Sequence, residues 1–357
     1  MPNINLLIPT YNRPNYLKRL LDYYHKYGSD FDIIVADSSS DENKKLNKEI
    51  IQSFPDLNIQ YVDKYSKETV SHNKFADMMN YAKRKYSVFC ADDDFVAPDG
   101  IIRSVDFLEK NPDFTVAHGY YMQFSLKMDK VGEKQFCWQT FYPNESITFS
   151  DSKDRLFRHL SEYRLQTLYG VHRTEILKMI YGEFLNYKID AVLFGEMFPG
   201  MLDLIYGKSE CLDIFYMARQ LDSSANNLWP TPIDFMNQGK YEVEYTKFRQ
   251  CLAVHLSKNS RLSTEEAEKV VDDAMNRYIK KYYSPNLKQT LKNKASRRKI
   301  LNELYGGART IHRGMEFICG LLRAKDNLGS IYNFLPRYRD DFEKIKNQVI
   351  NSKYEPI

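Results

Sequence analysis

Three aspartates in a row, Asp92, Asp93 and Asp94, follow directly on an apolar run, Val88 to Ala91. Adjacent carboxylates repel one another, and a folded chain keeps them together most readily where a cation or several donors offset the charge. The run ahead of them restricts the fold further, because it has close counterparts. Ile4 to Ile8, Phe31 to Ala36, Ile59 to Val62 and Phe114 to Ala117 are also short apolar runs that read as buried strands. Helical spacing fills the intervals: Leu17, Leu20, Leu21 and Tyr24 behind Pro14, with Gly28 as a stop; Phe75, Met78, Met79 and Ala82; Ile101, Ile102, Val105 and Leu108. Ser39-x-x-Glu42 has the form of a capping box opening another helix. Strands joined by helical crossovers predict an α/β, Rossmann-like, doubly wound and mostly parallel sheet.

In such sheets ligands bind outside the carboxyl ends of the strands. Those ends carry Pro9-Thr10-Tyr11-Asn12-Arg13, then Asp37-Ser38-Ser39-Ser40-Asp41, then the aspartate triplet, so three polar clusters are expected on one rim. Mg²⁺ and Mn²⁺ prefer oxygen ligands and are often held by one or two carboxylates plus substrate phosphates. A strand-end triplet therefore suits a metal bridging to a diphosphate. The bland alternative is a solvated turn, with Asp99 capping the next helix. Asp37 has the position of an acid that accepts donors from a base or ribose, although D-S-S-S-D is also a good turn sequence.

The remainder of the chain is less regular. Helices are expected near Asp154 to Leu165, from Thr174, and from Asp190 to Leu204, with strands at Leu168 to Val171 and Cys211 to Met217. Beyond Trp229-Pro230-Thr231-Pro232 the pattern is helical. This predicts a sheet domain over 1–230, in halves of about 1–120 and 121–230, and a C-terminal helical domain over 231–357. From Arg277 to Lys325 there are thirteen Lys and Arg against two acids, whereas the whole chain carries only +4. That asymmetry suggests an anionic partner for the C-terminal part. The five cysteines are scattered without a C-x-x-C pair, which argues against a disulfide framework or a zinc ribbon. No stretch approaches the ~18 apolar residues of a membrane span. The first apolar run is stopped by Pro9, so no secretory signal is expected, and a cytoplasmic protein is.

The stretches INLLIPTYNRP, IIVADSSSDEN and YSVFCADDDFVAPDGI, in that order, resemble a family 2-type glycosyltransferase of the GT-A fold over roughly the first 120 residues. The resemblance implies a nucleotide-diphosphate sugar donor, UDP-linked by preference, and Mn²⁺ or Mg²⁺ as cofactor. It implies that Pro9, Thr10, Tyr11 and Arg13 border the nucleotide and that Asp37 contacts the base. Asp92 and Asp93 would line the ribose and metal side, and Asp94 would be the principal metal ligand with Asp92 beside it. Ser71-His72-Asn73-Lys74 stands where the family often has A-R-N. Asn73 matches, Lys74 departs and is a candidate for the diphosphate, and His72 replaces the usual Arg.

An inverting transfer needs one base to take the acceptor hydroxyl's proton as it attacks the anomeric carbon. The family places an acid near the start of a later helix. Glu196 in LFGEMFPGML is the first candidate for this base and Asp190 the second; the family often has Glu-Asp where this chain has Glu-Met. The apolar setting of Glu196 would raise its pKa toward a useful range. Asp222 and His172 are candidates for a third metal ligand, and Arg219 for a phosphate contact. The implied acceptor is a hydroxyl of a glycan, lipid-linked in one reading, in surface polysaccharide assembly, with the basic tail on an anionic membrane face. Two other readings are a glycosyltransferase acting on nucleic-acid bases, which the basic tail permits, and a non-catalytic sugar-binding module, which the intact triplet argues against.

Overall fold

The computed structural model describes residues 3–27, 30–67, 69, 71–128, 134–142, 144–163, 167–189, 192–221, 236, 239–282 and 338–352. Strand β1 (Ile4–Thr10) lies between β2 (Asp32–Asp37) and β4 (Tyr86–Phe89), parallel to both, and β3 (Ile59–Val62) extends β2 in parallel. Strands β1, β2 and β4 are buried on both faces, which is why they read as continuous apolar runs, whereas the edge strand β3 leaves Gln60 exposed. The full order is β3-β2-β1-β4-β8-β6-β9-β5, with β7 paired to β6. Here β5 is Phe95–Val96, β6 Phe114–Met128, β7 Lys134–Tyr142, β8 Val171–Arg173 and β9 Lys208–Gln220. The short β8 runs antiparallel to both β4 and β6, whereas β6 and β9 are parallel.

Alternation along β1 sends Ile4, Leu6 and Ile8 to one face and Leu7 to the other. The first face is covered by α1 (Pro14–Tyr27), α2 (Asp41–Gln52), α4 (Pro98–Lys110) and a C-terminal helix over 338–351, whose Tyr338, Ile345 and Val349 join that core. Pro14 opens α1, and Leu17, Leu20, Leu21 and Tyr24 are all buried. The second face is covered by α3 (Ser71–Met78), α5 (Ser152–Ser161), α6 (Thr174–Asn186), α7 (Val192–Tyr206), α8 (Tyr241–Lys258) and α9 (Thr264–Tyr282). The described helices beyond residue 240 thus share apolar cores with the sheet. The expected boundary near 230, and most of the basic stretch 277–325, lie outside the described residues.

Two local expectations are corrected. The cap of α2 is Ser40, whose Oγ accepts from the Asn43 N–H, and not Ser39. Ser39 is used otherwise: its N–H donates to Asp37 Oδ1 and its Oγ accepts from the Asn12 N–H. The strand expected over Phe114 to Ala117 continues to Met128 and pairs with β7, so residues 121–142, read as irregular, are mostly a hairpin.

Candidate active site

Because β1, β2 and β4 are adjacent and parallel, their carboxyl ends fall side by side, with Thr10 level with Asp37. The loop after β1 then braces both neighbours. Thr10 Oγ donates to Asp92 Oδ2 at 2.7 Å. Asn12 adopts a positive φ of 53°, a conformation that Asn tolerates better than most residues. In that pose its Oδ1 accepts from the Ser40 N–H at 2.8 Å and from Asn43 Nδ2 at 3.2 Å. Arg13 reaches the other way, to Asp93 Oδ2 at 2.8 Å and Asp92 Oδ1 at 3.3 Å. Lys74 of α3 is buried beneath the rim, and its ammonium donates to the Thr10 carbonyl at 3.1 Å and Ser38 Oγ at 2.9 Å. Burial lowers its pKa to about 8, against the opposing pull of Asp92 and Asp37.

All three aspartates of the triplet are buried. Arg13 serves the first two. Asp94 accepts from the Gln220 backbone N–H at 2.9 Å and faces Arg219 Nε at 3.4 Å, both on the last residues of β9. Arg19, fully buried on α1, donates to the Asp93 carbonyl at 3.0 Å and so fixes the backbone of the triplet. Even so, burial first and Asp93 second hold the carboxyls of Asp92 and Asp94 above the ordinary range, with Arg13 and Arg219 respectively opposing. Every side-chain ligand atom that the three carboxylates offer a cation is an oxygen. That chemistry fits a hard divalent ion.

The opposite wall comes from later in the chain. Glu196 lies in the first turns of α7, where burial pushes its carboxyl up to about 7, with Arg219 pulling it down. Arg219 thus acts on both Asp94 and Glu196, and its guanidinium lies over the Tyr169 ring, 5.0 Å from the centroid. Tyr169 in turn feels the fields of Asp93, Asp94 and Glu196. The Tyr163 hydroxyl donates to the Glu196 carbonyl at 2.8 Å. Glycines let α7 approach its neighbours: a Cβ on Gly195 would lie 2.6 Å from the His72 ring, and one on Gly200 would lie 2.3 Å from Thr167 Oγ.

These contacts sort the expected residues. Thr10, Arg13, Asp92, Asp93, Asp94, Arg219 and Glu196 are linked through shared partners, and Tyr11 stands 46% exposed at the rim. Asp37 is fully buried; its Oδ1 accepts from Ser39 and its Oδ2 from Asn47 Nδ2 and the Tyr61 hydroxyl, both at 2.7 Å. Pro9 is half-buried, and Asn73 is exposed on α3. His72 is a packing residue: its ring is buried against Gly195, Phe75 and Phe184, and burial lowers its pKa to about 4. His172 is not at the rim; it is fully buried on β8 and paired with Asp203 at 2.8 Å. Asp190 and Asp222 lie outside the described residues. Arg19 and Tyr169 belong to the site and were not expected there.

A family model described as glycosyl transferase family 2 matches residues 6–161, which include the whole rim but neither Glu196 nor Arg219. Among solved structures, S. aureus TarS 1–349 in complex with UDP-GlcNAc is similar with a TM-score of 0.50 and 14% identity, over 77% of this chain and 72% of that one. TarS itself gives a TM-score of 0.47 at 15% identity; the match covers 77% of this chain but only 43% of TarS. The mannosyltransferase PcManGT from Pyrobaculum calidifontis, in complex with GDP-Man and Mn²⁺, gives 0.45 at 13% identity, over 99% and 88%. The matched segment is similar to family 2 glycosyltransferases over residues 6–161, and the fold is similar to that of TarS 1–349.

Proposed function

We propose that this protein moves a sugar from a nucleotide-diphosphate donor, UDP-linked, to a hydroxyl of an acceptor glycan in surface polysaccharide assembly, with inversion at the anomeric carbon. The observation that carries the reading is the pairing, through Arg219, of a three-carboxylate corner with one carboxyl held near neutrality. Asp94, with Asp92 beside it, would hold Mn²⁺ or Mg²⁺. When bound, that ion offsets the charge developing on the departing diphosphate.

The protein's own residues supply the rest. Arg13 and Arg19 hold Asp92 and Asp93 in place before any ligand arrives, which limits reorganisation on binding. Glu196 takes the acceptor's proton. A carboxyl pushed up to about 7 is half ionised near neutral pH and basic enough to draw the proton in the transition state. The UDP-GlcNAc complex of TarS 1–349 is in keeping with a UDP-sugar donor. No described helix is long and apolar enough to cross a membrane.

The test is release of nucleotide diphosphate from a panel of UDP- and GDP-sugars, with and without Mn²⁺ or Mg²⁺. Metal-dependent release from one donor, lost in Asp94→Ala, is expected. Equal turnover of that donor in EDTA would overturn the metal role, and no turnover of any donor with metal would overturn the donor class.

A further inference from the structure

On the face of the molecule built by α6 and α8, three side chains of different chemistry converge. Cys251 and His255 are four residues apart on α8 and so share one face of that helix. Glu183 meets them from α6. One ligand atom from each of Cys251, His255 and Glu183 lies within 4.8 Å of the other two, and His255 Nε2 is 3.6 Å from Glu183 Oε2. Around a tetrahedral Zn²⁺, with bonds of about 2.0–2.3 Å, such atoms stand roughly 3.3–3.6 Å apart. Small side-chain rotations therefore suffice to close the set.

The surroundings are those of a built site. Cys251 is fully buried and His255 nearly so, whereas the Glu183 side chain keeps 27% of its surface exposed. That leaves a path from solvent and room for a fourth, water ligand. The far ring nitrogen of His255, Nδ1, lies 2.6 Å from the Tyr206 hydroxyl of α7. A metal-bound histidine commonly spends its second nitrogen on such a partner, which fixes the ring with the other nitrogen toward the ion. Lys258, at the exposed end of α8, adds a positive field that weakens binding without closing the path.

We infer that Glu183, Cys251 and His255 form a transition-metal site, suited to Zn²⁺, that is separate from the aspartate corner. A thiolate, an imidazole and one carboxylate select Zn²⁺ over the hard Mg²⁺ or Mn²⁺ expected at Asp94. Binding displaces the thiol proton into solvent, so affinity rises with pH. The ion would tie α6 to α8. Phe248 of α8 packs on Phe194 and Phe198 of α7, the helix that carries Glu196. The site is thus a clamp on the wall opposite the rim, and it stands whether or not the reading of the sugar donor holds.

Co²⁺ titration of the full-length protein tests it. A 1:1 complex with a near-ultraviolet thiolate-to-cobalt charge-transfer band is expected, displaced stoichiometrically by Zn²⁺. An oxygen-ligated ion at the aspartates cannot give that band. Cys251→Ser should abolish it. Glu183→Gln, at a partly exposed position, should weaken binding at least about tenfold, and Tyr206→Phe should do so by about tenfold. The wild-type protein should also gain in Tm with one equivalent of Zn²⁺, a gain absent in Cys251→Ser. No band in the wild-type protein, or a band that survives in Cys251→Ser, would overturn the proposal. So would equal Zn²⁺ affinity in wild type and a folded Glu183→Gln.

Discussion

The rim and the wall that face each other across Arg219 both hold carboxyls raised by burial, but they differ in the donors set against it. At the rim, Asp92, Asp93 and Asp94 are met by Thr10, Arg13, Arg19 and the Gln220 N–H, contributed by strand ends and by α1. On the wall, Glu196 is surrounded by Tyr163, Tyr169 and the apolar residues of α7, and its balance is set by loss of water, with Arg219 opposing. The difference matches two tasks. In the proposed reading Asp94 would hold a cation, which, with its donors, would keep the carboxylate ionised against burial. A group that collects a proton must be reluctant to stay ionised, and desolvation serves that end.

The contrast is broken most severely at Asp94. Asp94→Ala removes the carboxylate that faces Arg219 and accepts from Gln220, and sugar transfer should fall on the order of 10³-fold. The fold should persist, as read by far-UV circular dichroism. Transfer within tenfold of wild type would remove Asp94 from the centre of the chemistry.

Glu196→Gln should lower transfer by about 10²-fold while donor affinity is kept. In the wild type the rate should climb with pH and level off above about 7, because only the ionised carboxylate takes a proton. Arg219 pulls that carboxyl down, so Arg219→Gln should move the midpoint upward. Stability gives an independent reading. The folded pKa lies above the unfolded value of about 4.5, so the folded state binds more protons between about 4.5 and 7, and stability falls as pH rises through that window. Relative to wild type, Glu196→Gln should therefore gain in Tm at pH 8 and lose that gain toward pH 5. A flat difference across pH would show that Glu196 is not desolvated.

Gly195→Ala tests how the wall is placed. The added methyl would meet the His72 ring at 2.6 Å, so α7 or α3 must shift, at a cost of about 1–3 kcal/mol. Denaturant unfolding reads the stability, and the same variant should lower transfer while leaving nucleotide binding at the rim unchanged. If donor affinity fell instead, rim and wall would be one mechanical unit.

The two regions also differ in how far the amino-acid sequence reveals them. The rim was legible because each of its motifs sits at the end of an apolar run and parallel pairing brings such ends together. Glu196 was a candidate through the family resemblance, which implies an acid near the start of a later helix, and its raised carboxyl is in keeping with its apolar neighbours. Partners set by packing at long range carried no local mark. His172 looked available as a ligand, but Asp203, on a helix packed beneath β8, takes it. Tyr169 had no signal at all. Arg19 did have one: it stands among Tyr16, Leu20 and Tyr23 on the buried face of α1, where a charge needs a buried acceptor. The hairpin over 121–142 did carry a mark that was passed over: Met122, Phe124, Leu126 and Met128 alternate with Gln123, Ser125 and Lys127 along β6, the pattern of a half-exposed strand.

The smallest effect tests the rim's own bracing. Asn12 joins two loops through its side chain and holds a φ of 53°. Asn12→Gly loses the two side-chain hydrogen bonds but relaxes into the left-handed conformation freely. Asn12→Ala loses the same bonds and adds the penalty of a β-carbon at positive φ, about 1 kcal/mol. Denaturant midpoints should therefore rank wild type above Gly and Gly above Ala, with the second gap near that value. The first gap measures what the hydrogen bonds to Ser40 and Asn43 contribute. Equal stability of the two variants would mean that the loop after β1 gives up its left-handed turn once the side chain is gone. In that case the contacts of Thr10 and Arg13 with the aspartates depend on Asn12, and the polar rim is less self-sufficient than its density of hydrogen bonds indicates.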